Sequence, residues 1–164
     1  MAGEVRLRAV QDSDLPVFFT QQLDPEANAM AAFAARDPAD RDAFMAHWAN
    51  VRGDPANRAQ TIEWDGQVAG YIGSWQHEGH REVGYCIGRA HWGQGIATRA
   101  LAAFVASETA RPLYAYVAKD NLASLRVLDK CGFARYGENK EFANARGTDV
   151  EQFIMVLEAN AGTP

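Results

Sequence analysis

The stretch "HWGQGIATRAL", His91 to Leu101, sets two glycines, a glutamine and a threonine between an apolar run, "VGYCIG", and an alanine-rich amphipathic segment. A Gly-x-Gly loop that opens directly into a helix leaves several backbone N–H groups without partners. The helix dipole adds roughly half a positive charge at the same place. The chemistry this offers is anion binding. Gly93 and Gly95 let a phosphate approach where a Cβ would block it, and Thr98 adds a hydroxyl donor in the first helical turn.

Two phosphate-binding patterns fail against the same residues. A P-loop needs Gly-x-x-x-x-Gly-Lys and then Ser or Thr, and no lysine occurs between Met1 and Val117. A dinucleotide fingerprint needs a third glycine where Thr98 stands, and it follows the first strand of a parallel sheet, whereas the strands here precede the loop as a meander. Other reactive types are sparse. Cys86 as an acyl-accepting nucleophile lacks a His and Asp pattern to activate it, and is read as a small thiol on a strand. His77 and His80 in "HEGHR", with Cys86 near, lack the His-Glu-x-x-His spacing and a fourth ligand, so no metal site is expected.

The elements that must position this loop follow from periodicity. "EVRLRAV" alternates as a half-buried strand, and "QDSDLPVFF" starts a helix with Asp12 or Ser13 as its cap and Pro16 in the first turn. A second helix is expected from Asp37-Pro38 to near Gly53, with Phe44, Trp48 and Val51 on one face. Residues 21–36 between them show no regular pattern. Two strand runs joined by Asp65-Gly66, then "QHEGHR" and "EVGYCIG", give a three-stranded meander. After the loop the period becomes helical, with Ile96, Ala97, Ala100, Leu101, Phe104 and Val105 as one stripe, and "RPLYAYVA" returns to strand. Glu82 to Ala118 is thus long enough for a right-handed parallel crossover. A short helix capped by Asp120 or Asn121 carries Leu122, Leu125 and Leu128 and ends at Gly132. Two more strands follow, with residues 159–164 as a loose tail.

At 164 residues the chain is expected to be one domain, 1–164, with a core that needs no staples. A net charge of -5 with no basic run argues against a nucleic-acid partner, since that affinity rests on clustered Lys and Arg. Two cysteines in apolar segments read as reduced thiols. The start of the chain lacks signal-peptide organisation, and no apolar run approaches the about 18 residues of a membrane span, so a cytoplasmic protein without membrane contact is expected.

The element order, together with "EVGYCI", "HWGQGIAT" and "NLASLRVLDKCGF", resembles the GNAT superfamily of acetyl-CoA-dependent N-acyltransferases. The family's pyrophosphate loop reads Gln/Arg-x-x-Gly-x-Gly/Ala, which Trp92 to Ala97 matches except that Trp92 replaces the first polar residue. That substitution, with Asn-x-x-Ser and a following Gly-Phe, looks like the branch that acetylates ribosomal-protein N-termini. The resemblance spans roughly residues 4–158. It implies an α/β (α+β) fold with a mixed, mostly antiparallel sheet of about seven strands flanked by about four helices.

The resemblance also implies roles. Acetyl-CoA would enter a gap between the fourth and fifth strands, hydrogen-bonded to Tyr85, Cys86 and Ile87. Its pyrophosphate would rest on Trp92, Gly93, Gln94, Gly95, Ile96 and Ala97 with Thr98, and Asn121 and Ser124 would approach the thioester. Leu128 occupies the place of the usual acid tyrosine, which leaves Ser124 as the implied acid. Glu141 and Glu82 compete for the base. The implied activity is transfer of acetyl from acetyl-CoA to a primary amine, on a protein N-terminus or a small molecule, by direct attack on the thioester without metal. The alternative is a non-catalytic acyl-CoA-binding module of the same fold. Either monomer or homodimer is compatible with the apolar "FIMVL" near the C-terminus.

Overall fold

A computed structural model describes residues 3–159. Seven strands form one sheet: β1 (Val5–Ala9), β2 (Arg58–Trp64), β3 (Gln67–His77), β4 (His80–Ile87), β5 (Leu113–Ala118), β6 (Ala134–Ala143) and β7 (Thr148–Leu157). Their spatial order is β1-β2-β3-β4-β5-β7-β6. Every neighbouring pair is antiparallel except β4 and β5, which are parallel and joined by the crossover expected from the sequence. Positive φ at Asp65 and Gly66, and again at Glu78 and Gly79, closes the two hairpins of the meander.

Adjacent residues on a strand point to opposite faces, and the two cores show which helices cover each. Ile72, Val83, Ala115 and Val117 pack with Ile96, Leu101, Phe104 and Leu128. These side chains come from the sheet, from α4 (Ile96–Ser107) and from α5 (Leu122–Lys130). Tyr71, next to Ile72, turns the other way and joins Phe18 and Trp48, from α1 (Leu15–Gln22) and α3 (Arg41–Gly53). The Trp48 ring meets Tyr71 edge-on at 4.9 Å and Phe18 at 5.1 Å, so α1 and α3 are locked over β3 by three aromatic rings.

Several local expectations change. Residues 21–36 contain a fifth helix among the described residues, α2 (Pro25–Ala31), capped by Asp24, whose carboxylate accepts the Glu26 N–H at 3.0 Å. It has no buried residue and hence no apolar stripe to read. Arginines hold it: Arg89 pairs with Asp24 at 3.1 Å, and Arg146 donates to the Ala29 carbonyl at 2.8 Å. The α3 cap is Asp40 in place of Asp37-Pro38, because its carboxylate accepts the Ala43 N–H at 2.9 Å. Leu122 is exposed, leaving Leu125 and Leu128 as the apolar contacts of α5. Of residues 159–164, all but Ala159 lie outside the described residues.

Neither Asp12 nor Ser13 caps the first helix. Asp14 is the residue that matters there, buried and held by four donors. Arg8 binds both its oxygens at 2.8 Å, Thr61 donates at 2.7 Å and the Gln11 N–H at 2.8 Å. Arg8, before burial is counted, dominates the result, which is a carboxyl drawn down to about 2. Asp14→Asn removes a charge from this buried pair and should cost about 3 kcal/mol in urea unfolding, with an unchanged m-value. The sign with pH follows from the lowered value. The stabilisation is whole above the unfolded carboxyl's value near 3.8 and is lost as pH falls through about 2. The variant should therefore lose less stability than the parent between these limits; equal acid sensitivity would contradict the assignment.

Candidate active site

β4 and β5 stay paired for two rungs only, Arg81 with Leu113 and Glu82 with Tyr114. Beyond them β5 continues against β7 to Ala118 while β4 continues against β3 to Ile87, so the two strands part. A groove of about 700 Å³ lies along this opening. The pleat fixes which backbone groups face it. Gly88 N–H donates to Ala69 on the β3 side at 2.8 Å, and the Cys86 carbonyl lies against Gly70, where an added Cβ would be 1.9 Å from its oxygen. Polar groups alternate along an antiparallel strand, so those of Tyr85 and Ile87 point away from β3, into the gap. The Ile87 carbonyl is already used, accepting from Trp92 Nε1 at 2.8 Å. The polar groups of Tyr85 are left for another partner.

The glycine loop stands at the open end of the gap, beyond Ile87. Gly93 and Gly95 have φ of 77° and 76°, the left-handed region where glycine avoids a steric cost, and Gly95 is the cap residue of α4. Trp92, Gly93, Gly95, Ile96, Ala97 and Thr98 line the groove, as do Tyr85, Cys86 and Ile87 of β4. Gln94 is exposed and does not line it. From α5 come Asn121 and Ser124, and Asn121 also caps that helix, its Oδ1 accepting the Ser124 N–H at 3.3 Å. Ala27, Met30 and Ala31 of α2 form a further wall that periodicity did not reveal.

Ser124 is half-buried, and its Oγ lies 2.7 Å from the Tyr85 hydroxyl. Burial pushes the Tyr85 phenol up to about 12, against the opposing effect of Ser124, so it stays protonated at neutral pH. This hydroxyl pair was not foreseen, because Tyr85 entered only as a backbone contact. The signal was its parity: Tyr85 alternates with Gly84 and Cys86 and must face the helix that carries Ser124.

Glu82 projects to the opposite face at the last parallel rung, with its side chain 13% exposed. Its Oε2 lies 3.0 Å from His77 Nδ1. Burial is the largest influence and raises its affinity for a proton; His77, His80 and Trp75 act in the other direction. His80 Nε2 lies 3.2 Å from the Tyr116 hydroxyl on the same face. Glu141, on β6, is exposed, with Gln152 Nε2 donating to it at 3.4 Å, and β5 and β7 separate it from β4. The structure thus brings the loop, Tyr85, Asn121 and Ser124 to one groove; Glu82 and Glu141 both lie outside its lining, Glu82 on the opposite face of β4 at the last parallel rung and Glu141 across β5 and β7. Among the described residues no three His, Cys, Asp or Glu side chains lie close enough together to hold a metal ion.

The sheet is mixed and opens between its one parallel pair, with the glycine-capped helix α4 at the mouth of the opening. Comparison with known proteins shows the family. A family model, the acetyltransferase (GNAT) domain, matches residues 4–134. An uncharacterized N-acetyltransferase p20 of Bacillus licheniformis is 30% identical over 93 residues, which are 53% of this chain and 52% of the relative, so the likeness spans about half of that protein. Among solved structures, Mycobacterium smegmatis RimJ in complex with CoA-disulfide superposes with a TM-score of 0.79 at 22% identity, over 98% of this chain and 84% of that one. A spermidine N-acetyltransferase of Vibrio cholerae, in complex with CoA and spermine, gives 0.75 at 20%, over 93% and 95%. The chain belongs to the GNAT acetyltransferase family, a family of acyltransferase enzymes.

Cys86 sits on the groove strand with its thiol against Tyr71, and burial pushes its ionisation up. A neutral thiol is a poor nucleophile. At pH 8, iodoacetamide should label Cys86 far more slowly in the folded protein than in guanidinium chloride. Equal rates would contradict this environment.

Proposed function

We propose that residues 1–164 form one N-acetyltransferase domain that moves acetyl from acetyl-CoA to a primary amine, with the amine attacking the thioester directly. The observation that carries this reading is the parting of β4 from β5 beside two oppositely directed groups, the Glu82 carboxylate on one face and the Tyr85–Ser124 hydroxyls on the other. In this reading the Tyr85 backbone binds the pantetheine arm, beside Cys86 and Ile87. The N–H groups from Trp92 to Ala97 hold the pyrophosphate, reinforced by Thr98. Asn121 keeps the α5 terminus, and with it Ser124, in position.

Glu82 takes the proton of the acceptor ammonium, directly or through water, so that a neutral amine forms the C–N bond as the C–S bond breaks. The leaving thiolate takes a proton from the Ser124 hydroxyl, backed by the Tyr85 phenol 2.7 Å away, and the second proton that the amine nitrogen loses as the amide forms restores that hydroxyl through solvent. This replaces the acid lost with Leu128, which is 2% exposed and belongs to the core. Glu82 is preferred to Glu141 as base because it stands at the closed end of the gap while Glu141 lies across β5 and β7. No metal enters this scheme. No helix among the described residues is long and apolar enough to cross a membrane, and we place the domain in the cytoplasm, as monomer or homodimer.

The reading is checked by thiol release with acetyl-CoA and amine acceptors. Glu82→Gln should lower kcat by roughly 10²- to 10⁴-fold while acetyl-CoA affinity is kept. It should also remove the acidic limb of the kcat/KM profile, since the parent gains activity as Glu82 loses its proton with rising pH. Glu141→Ala should change little, and an inverted outcome for these two carboxylates would transfer the base to Glu141. Ser124→Ala should lower kcat with affinity kept. An absence of any turnover in the parent would favour the non-catalytic acyl-CoA-binding alternative. Gly95→Asp strains the backbone at φ 76° and sets a carboxylate against the pyrophosphate, and should abolish cofactor binding; undiminished binding would sink the loop assignment.

A further inference from the structure

A second cavity, of about 490 Å³, lies on the α1–α3 face and shares Tyr85 with the groove. Its floor is a row of small residues across three strands, since Ala59 is in register with Gly73 and Gly73 with Gly84. Along β3, Tyr71 and Trp75 flank Gly73 on the same face, and α3 closes the other side with Trp48 and Val51. The Trp75 ring lies over Gly84, where a Cβ would be 2.8 Å from it. Among the described lining residues there is no carboxylate. The single arginine is committed elsewhere, with Arg58 donating to Glu108 at 2.9 Å and to Ser107 at 3.1 Å over the Phe104 ring. Glu82, two residues from Gly84 and paired across the strands with Trp75, is the carboxylate nearest in register.

Resting on the acetyltransferase reading, we propose that this cavity receives the substituent of the acceptor, and that the acceptor is a primary amine bearing one bulky apolar or aromatic group. The single ammonium meets Glu82 beside Gly84, and the apolar group enters between Trp75 and Trp48. A polyamine would carry a second ammonium into a space without an acidic partner, which disfavours it. Two sources share this chemistry, a free arylalkylamine and the first residue of a peptide.

The test is thiol release by the full chain with acetyl-CoA and 2-phenylethylamine, ethylamine, a phenylalanine-led tripeptide or spermidine. The expected kcat/KM for phenylethylamine or for the tripeptide exceeds that for ethylamine by roughly tenfold or more, with spermidine below both. Which of the two is faster separates free amine from N-terminus. Ala59→Leu fills the floor and should raise KM for phenylethylamine by roughly tenfold, leaving ethylamine turnover and acetyl-CoA affinity unchanged. Val51→Phe narrows the cavity from the helix side and should act alike if Ala59→Leu fails to fold. A preference for spermidine, or indifference to both substitutions, would overturn the acceptor class alone. Turnover of none of the four amines by a chain that binds acetyl-CoA would overturn the acetyltransferase reading beneath it.

Discussion

The parting of β4 and β5 after Glu82 and Tyr114 is the constraint on which the rest of the structure depends. Each strand keeps a full partner on its far side, β3 and β7, so the sheet survives the loss of the ladder between them. What is lost is satisfaction of the inner edge of β4. Trp92 meets the Ile87 carbonyl, and the Tyr85 backbone remains for a ligand able to hydrogen-bond as a strand would. A parallel pair also requires a crossover, and the crossover here is α4, whose glycine-capped N-terminus comes to the mouth of the gap. Gap and exposed helix N-terminus are therefore one consequence of a single topological choice.

The pleat then distributes chemistry. Glu82 and Tyr85, three residues apart, differ in parity, so a carboxylate raised by burial faces the α1–α3 side while a phenol near 12 faces α5 and Ser124. In the proposed scheme this places base and acid on opposite faces of one strand, which suits an attack from one side and a departure on the other. The frame that holds them is anchored at a distance: Asp14 fastens the chain before α1 to β1 and β2 through Arg8 and Thr61. The Trp48–Tyr71–Phe18 cluster fixes α1 and α3 over β3. Arg89 and Arg146 add α2 as a wall over the groove.

Much of this was legible in the sequence. The hairpin at Asp65-Gly66, the stripe from Ile96 to Val105 and the glycines at 93 and 95 are local signals, and each appears in the structure where its spacing put it. The exceptions share one physical cause, dependence on contacts between distant segments. α2 is held by arginines from elsewhere and buries no face of its own, so residues 21–36 looked patternless. Asp12 and Ser13 read as the helix cap, and the role of Asp14 emerges only with Arg8 and Thr61 around it. The Tyr85–Ser124 and His77–Glu82 pairs join strands to helix or to neighbouring strands, and no one-dimensional period reports them.

Occupation of the gap by the acyl carrier is the central claim, and isothermal titration of the purified protein with acetyl-CoA, and separately with NAD, tests it most directly. The expected result is micromolar, saturable acetyl-CoA binding with none for NAD, since a dinucleotide has no pantetheine arm to pair with the free edge of β4. Absence of acetyl-CoA binding would contradict the account, and every role assigned to Glu82, Tyr85 and Ser124 would fall with it.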